Sequence, residues 1–352
     1  MKRIISAAII CALIALTFAS CSGAATTTPT ATPGTPANNG GGTASNSSDN
    51  SGEPAANRTI KIGYDGGLCQ AAIPIAQEKG FFAAEGLETA LTKSDSARDA
   101  IAGGKIDTSA GMIAGWLKPV TNGVDIVFTV GLHTGCASAV VLADSATAGF
   151  SDAVGGNVAI SGGIGGVYHN IGYRMVAHDG FTADQFKWAD FPADQGLLVL
   201  QRGEADILIV SDQLAEKWVQ DGDVKRIRSL TLDDDFKGEA CCVMGISGAF
   251  LKENPITSEK ISRAVYNAAK WIQESEANKR EAAQILLDGG HISGTVDYAV
   301  DLLTLYTYGL SQDITEKSLY DSVDEYKDLG VLSADIDVEQ VKAQIWQPLN
   351  IE

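Results

Sequence analysis

The chain has 352 residues, 45% of them hydrophobic and 20% charged, with a formal net charge of −18. Such an acidic balance argues against nucleic acid as a partner and against docking of the folded body on an anionic bilayer. It leaves the charge of a small ligand open, because a cleft can differ from the global average.

Residues 1–20, MKRIISAAIICALIALTFAS, set two cations ahead of an apolar run that ends in small residues, the pattern of a signal peptide. Cys21 follows, and TFASC resembles the processing box of bacterial lipoproteins, where the cysteine becomes the lipidated first residue. A lipid such as palmitate supplies the membrane affinity there, and no later apolar run is long enough to span a bilayer. Residues 21–57 are almost all Ala, Thr, Pro, Gly, Asn and Ser, with Asp49 and Glu53 as the charged exceptions. They read as a disordered tether, because they cannot bury enough apolar surface to offset backbone entropy.

The remainder is long enough for two lobes, each with its own core. RTIKIGYDG predicts a strand over residues 59–64, and CQAAIPIAQEKG a helix closed by Gly80. GLETALTKSD is a strand, SARDAIAGGKIDTSAG a helix, a glycine stop and a strand, and VDIVFTVG and ASAVVLAD two strands more. NVAISGGIGGVYHNIGYRMVAHDG then gives strand, glycine-rich turn and helix, and ADQGLLVLQRGEADILIVSDQLAEKWVQDG gives helix, turn, strand and helix. Strands alternating with helices specify an α/β layout in two similar lobes. After the strand in ACCVMGISG the chain turns helical, with Ile261, Ala264, Val265, Ala268, Ala269 and Ile272 on one face. This helical C-terminal tail has to cover the sheet of the first lobe.

In such sheets ligands collect beyond the carboxyl ends of the strands. Four loops qualify, DGGLC, SAGM, SGGIGG and VSDQ, and Gly67, Cys69, Ser109, Ala110, His133, Ser161, Gly162, Gly163 and Asp212 are expected to line the cleft. The amides of SGGIGG suit an anion or a carbonyl oxygen, and a side chain at Gly163 would cap them. Asp212 suggests a ligand with a donor or a positive group. No G-x-S-x-G elbow occurs and the chain holds four histidines, so no catalytic residues, no cofactor and no metal are expected.

AAIPIAQEKGFFAAEGLE is similar to the signature near the start of periplasmic binding proteins of the nitrate, sulfonate, taurine and thiamine-precursor type, and RGEADILIVSD also fits that family. The resemblance implies the type II two-lobed periplasmic-binding-protein fold. Its first lobe would hold residues 58–150 and 236–352 and its second residues 151–235, with crossovers near residues 146–155 and 230–239. It implies a monomeric extracytoplasmic receptor that captures a small polar or anionic solute and delivers it to the transmembrane subunits of an ABC permease. GLHTGC and ACCVMG are not features of the better known nitrate or sulfonate receptors.

The resemblance also puts ASAVVLAD and CCVMGIS beside the crossovers, so a bond from Cys136 to Cys241 or Cys242 would tie them together. A metal or metal-complex site using His133, Cys69 and the other thiols is the alternative, since His133 and Cys136 have metal-like spacing. Two other readings remain at this stage. One is a secreted enzyme resembling the pyrimidine-precursor synthases of this fold, with a functional cysteine; the other is an adhesin or sensory module.

Overall fold

The computed structural model describes residues 49–94 and 96–351. The signal peptide, Cys21 and most of the tether lie outside the described residues. Among the described residues no helix is long and apolar enough to cross a membrane.

Among the described residues ten strands form two five-stranded sheets. They are β1 (Ile60–Tyr64), β2 (Thr89–Lys93), β3 (Thr108–Met112), β4 (Ile126–Thr134), β5 (Ala137–Leu142), β6 (Asn157–Ile160), β7 (Lys187–Asp190), β8 (Ile207–Ser211), β9 (Val224–Ser229) and β10 (Ala240–Ser247). The first sheet has the order β2-β1-β3-β10-β4 and the second β7-β6-β8-β5-β9. In the first, β1 runs parallel to β2 and β3, while β10 lies antiparallel between β3 and β4. The second repeats the plan, with β6 parallel to β7 and β8, and β5 antiparallel between β8 and β9. Each lobe thus receives its antiparallel strand directly after the chain has crossed from the other.

This topology corrects the first crossover. ASAVVLAD was expected to close the first lobe, but β5 pairs only with β8 and β9, so the chain crosses at Gly135 and Cys136. The reason is that β4 and β5 are both nearly continuous apolar strands with both faces covered. Their composition suits a central position in either sheet, and periodicity cannot say which. The second crossover lies between β9 and β10.

The tether also ends earlier than composition suggests. Glu53 accepts the backbone amides of Ile256 and Thr257 at 2.6 and 2.8 Å, on the first turn of the helix Pro255–Glu274. Asn254 Oδ1 accepts the Ala55 amide at 2.8 Å, and Asn50 bonds Thr257 and Lys260. A low-complexity stretch hid a carboxylate placed where a helix has free N–H groups. Replacing Glu53 by alanine is expected to lower stability by about 1 kcal/mol, read as a reduced urea midpoint, with Glu53→Gln losing less.

The helix Pro255–Glu274 covers one face of the first sheet, with Ile261, Val265 and Ile272 in one core with Ile60, Ile62, Val130 and Met244. The helix Gln312–Asp328 covers the opposite face, placing Leu319 and Val323 beside Phe128 and Val243. The helical tail therefore packs on the first lobe from both sides, which leaves the strand ends toward the second lobe open.

Candidate functional site

The residues at the mouth of the cleft are brought together by strand register. Cys242 of β10 lies opposite Met112 of β3 on one side and His133 of β4 on the other. Cys69 follows β1 in a single turn of 3-10 helix, Leu68–Gln70. On a regular strand Cys241 and Cys242 would face opposite ways. Here Ala240 pairs with Thr134 and Cys242 with His133, so Cys241 is an extra residue bulged out of the ladder. Cys136 Sγ consequently stands 2.6 Å from Cys241 Sγ and 3.7 Å from Cys242 Sγ.

The four thiols of the described residues are free, Cys136 and Cys242 buried, Cys69 and Cys241 half-buried. Cys69, His133 and Cys242 each offer one donor atom within 4.8 Å of the others, and the sulfurs of Cys136, Cys241 and Cys242 do the same. The imidazole of His133 is fully buried, its ring centroid 4.6 Å from that of Tyr306 and 5.4 Å from that of Tyr308. Nδ1 lies 2.9 Å from the Thr134 carbonyl oxygen. A carbonyl can only accept, so Nδ1 is the donor of this bond.

Electrostatics divides the thiols. Hydrogen bonding from Cys242 lowers the Cys69 pKa, and hydrogen bonds from Cys136 and Cys242 hold Cys241 well below the ordinary thiol value. Burial pushes Cys136 up, and its three sulfur neighbours push Cys242 up. Burial works to lower His133, but the Cys69 sulfur beside it turns the net shift upward. Negative charge is thus favoured on Cys69 and Cys241.

Cys69 and Cys136 open onto a pocket of about 370 Å³, with Gly67, Met112, Tyr168, Ser211, Gln213 and Tyr306 also in its wall. Asp65 and Met112 are shared with an adjoining pocket of about 500 Å³ between Ala110, Trp116 and Lys118 of the first lobe and Gly162, Gly165 and Gly166 of the second. Bonds also cross between the lobes. Asn170 Nδ2 donates to the Ala114 carbonyl at 2.8 Å, and Tyr298 OH donates to the Gln213 carbonyl.

Four expected residues therefore wall these pockets, Gly67, Cys69, Ala110 and Gly162. His133 stands behind Cys69. The others stand apart from the pocket walls. Ser109 is fully buried and its hydroxyl donates to the Gly63 carbonyl at 2.7 Å, so the sheet absorbs it. Ser161 is buried at the end of β6. The amide of Gly163, expected to face ligand, donates to Asp190 at 2.8 Å. Asp212 is buried and accepts from Ser138 at 2.5 Å and from Thr231. Its carboxylate secures a crossover, so it is no guide to a ligand with a donor or a positive group. Tyr306 is not among the expected residues, because it lies in the C-terminal part expected to be helical; the helix stops at Leu305 and Tyr308 pairs with His133. The alternation of Tyr306 and Tyr308 before Gly309 is the signal that marks it.

The second crossover is braced by ions. Arg228 of β9 holds Asp233 and Asp235, each at 2.6 Å. Hydrogen bonding from Arg228 lowers the Asp235 carboxyl to about 2. A lowered folded-state pKa means that the unfolded chain takes up the proton first as pH falls. The contribution is therefore complete above the unfolded value near 3.8 and disappears as pH drops through about 2. Denaturant midpoints of the native protein and Asp235→Asn are expected to differ at pH 6 (roughly two units above that window) and to converge in acid.

A model of the NMT1-like family matches residues 53–287. No curated protein matches the chain. Among solved structures, the chain is similar to the alkanesulfonate-binding protein SsuA of Xanthomonas axonopodis pv. citri bound to MOPS, with 14% identity over 84% of this chain and 99% of that one, at a TM-score of 0.67. It is similar to the periplasmic nitrate-binding protein NrtA of Synechocystis PCC 6803, with 19% identity over 82% and 86% of the two chains and a TM-score of 0.66. The periplasmic aliphatic sulphonate binding protein SsuA of Escherichia coli gives 15% identity, 84% and 94% coverage and a TM-score of 0.67. At such identities the likeness establishes the two-lobed binding-protein fold.

Proposed function

We propose, because the chain belongs to the NMT1-like family, that it is the extracytoplasmic solute receptor of an ABC importer. The observation that carries this reading is the pair of crossovers joining two lobes, with pockets where the carboxyl ends of their strands face each other. A ligand that touches both walls binds the closed form better than the open one, and that difference in affinity drives closure. The closed shape is what the permease subunits recognise. Lipid on Cys21 and the tether keep the receptor beside them.

Within this reading the solute is small and polar. Cys136 and Cys241 form a bridge in an oxidising compartment, a clamp where both crossovers meet. Intact mass before and after reduction checks the bridge, since each bond accounts for two hydrogens. Ser109 is fully buried and its hydroxyl is committed to the Gly63 carbonyl, which favours binding over nucleophilic chemistry.

The test is small-angle scattering of the reduced and the oxidised protein with a solute panel that includes sulfonates, nitrate and metal ions. Compaction with one solute, weakened when Gly67 or Gly162 is replaced by a bulky residue, is the expected result. A panel in which nothing compacts the protein or raises its melting temperature overturns the reading.

A further inference from the structure

We propose that Cys69, His133 and Cys242 form a site for a soft metal ion, and that this ion, free or in a small chelate, is the solute. The site stands on its own geometry; the role of the ion as cargo rests on the receptor reading above.

Two sulfurs and one imidazole nitrogen lie within 4.8 Å of one another, a spacing that modest side-chain adjustment closes around one ion. Thiolate and imidazole donors select zinc or cuprous ions over hard cations. The Nδ1 proton is spent on the Thr134 carbonyl and the buried Nε2 has no hydrogen-bond partner, so Nε2 is the ring atom left to bind an ion. Tyr306 and Tyr308 pack on the ring and hold its plane. Cys69 and Tyr306 both line the 370 Å³ pocket, which leaves the fourth coordination position on the cleft side. Three protein ligands and one open position are the arrangement of a zinc centre that receives an outside ligand.

The balance is simple. A divalent ion displaces the thiol protons of Cys69 and Cys242 to solvent, two metal–sulfur bonds replace two S–H bonds, and the ion leaves the site neutral. No oxidant or reductant takes part. The second trio, Cys136, Cys241 and Cys242, shares Cys242 but includes neither the imidazole nor Cys69. A bridge between Cys136 and Cys241 would leave the proposed site intact.

The experiment titrates Co(II) as a spectroscopic probe into reduced, metal-free protein. One equivalent is expected, with an intense thiolate-to-cobalt charge-transfer band. Cys69→Ala and His133→Gln should each weaken binding by at least about tenfold, whereas the double variant Cys136→Ser, Cys241→Ser keeps the band. Cys69 is half-buried, so Cys69→Ala keeps the test valid if His133→Gln fails to fold. Absence of the band in natively folded protein overturns the site, as does a band lost in the double variant and kept in Cys69→Ala.

The cargo claim is tested by scattering with Zn(II) alone and with Zn(II) held by nitrilotriacetate. Compaction with the first identifies the free ion, and compaction with only the second, the chelator being retained, identifies a complex. Metal binding without compaction overturns the ion as cargo. Compaction of Cys69→Ala by a metal-free solute overturns it too, and at the same time supports the receptor reading.

Discussion

Gly135→Val is expected to destabilise the protein by about 2–6 kcal/mol, the sum of two separate penalties. Gly135 has φ +77, and a side chain there would put its Cβ 2.0 Å from Thr231 Oγ1 and 2.7 Å from Thr231 Cβ. A left-handed conformation costs a β-branched residue about 1–3 kcal/mol, and forced overpacking costs about 1–3 more. Thr231 cannot step aside cheaply, because its hydroxyl accepts the Cys136 amide at 3.1 Å and donates to Asp212. The next residue, Cys136, already sits at φ 131, the sole non-glycine residue with positive φ among the described residues. A urea titration should show a lower midpoint with an unchanged slope. Adding Thr231→Ala should recover part of the loss by removing the clash, and an unaffected midpoint in Gly135→Val would contradict the packing at this crossover.

Asp212→Ala is expected to cost about 2–5 kcal/mol. Its carboxylate accepts from Ser138 of β5 and from Thr231 of the second crossover, while its amide donates to the Cys136 carbonyl at 3.0 Å. Deleting it strips the Thr231 hydroxyl of its acceptor and leaves Ser138 the longer bond to Ser229 Oγ at 3.3 Å. Asp212→Asn keeps one oxygen and should lose less. Burial raises the Asp212 pKa above its ordinary value, and the sign of the pH effect follows. The folded chain takes up the proton first, so native protein should gain stability relative to Asp212→Asn as pH falls toward the unfolded value near 3.8. Parallel urea titrations at several pH values measure the gap.

The alternation of strands with helices and the apolar face of the helix Pro255–Glu274 were legible because periodicity reports burial directly. The place of Cys69 and Gly67 on a pocket wall was also legible, since they follow a strand that gives way to glycines. Asp212 was misread because a carboxylate at a strand's carboxyl end looks the same in sequence whether it meets a ligand or two hydroxyls. Gly163 was misread for the matching reason, as its amide was already engaged by Asp190 from another strand. The bulge at Cys241 had no local signal, because it arises from pairing with β4 more than a hundred residues earlier. Without it the vicinal cysteines would have been assigned to opposite faces of the sheet.

The strand exchange between lobes has a consequence for the order in which the chain assembles. All strands of the second sheet fall within residues 137–229, one uninterrupted stretch, whereas the first sheet needs β10 as the partner that joins β3 to β4. A chain emerging from its N-terminus therefore holds β3 and β4 with unpaired edges until the whole second lobe has appeared. The second lobe is expected to fold first and to act as the template that delivers Cys241 and Cys242 to the waiting strands. Exposed strand edges during that interval are where misassociation would begin. Chaperone dependence should accordingly be concentrated in nascent chains that end before residue 240, and should fall once the returning strand has emerged.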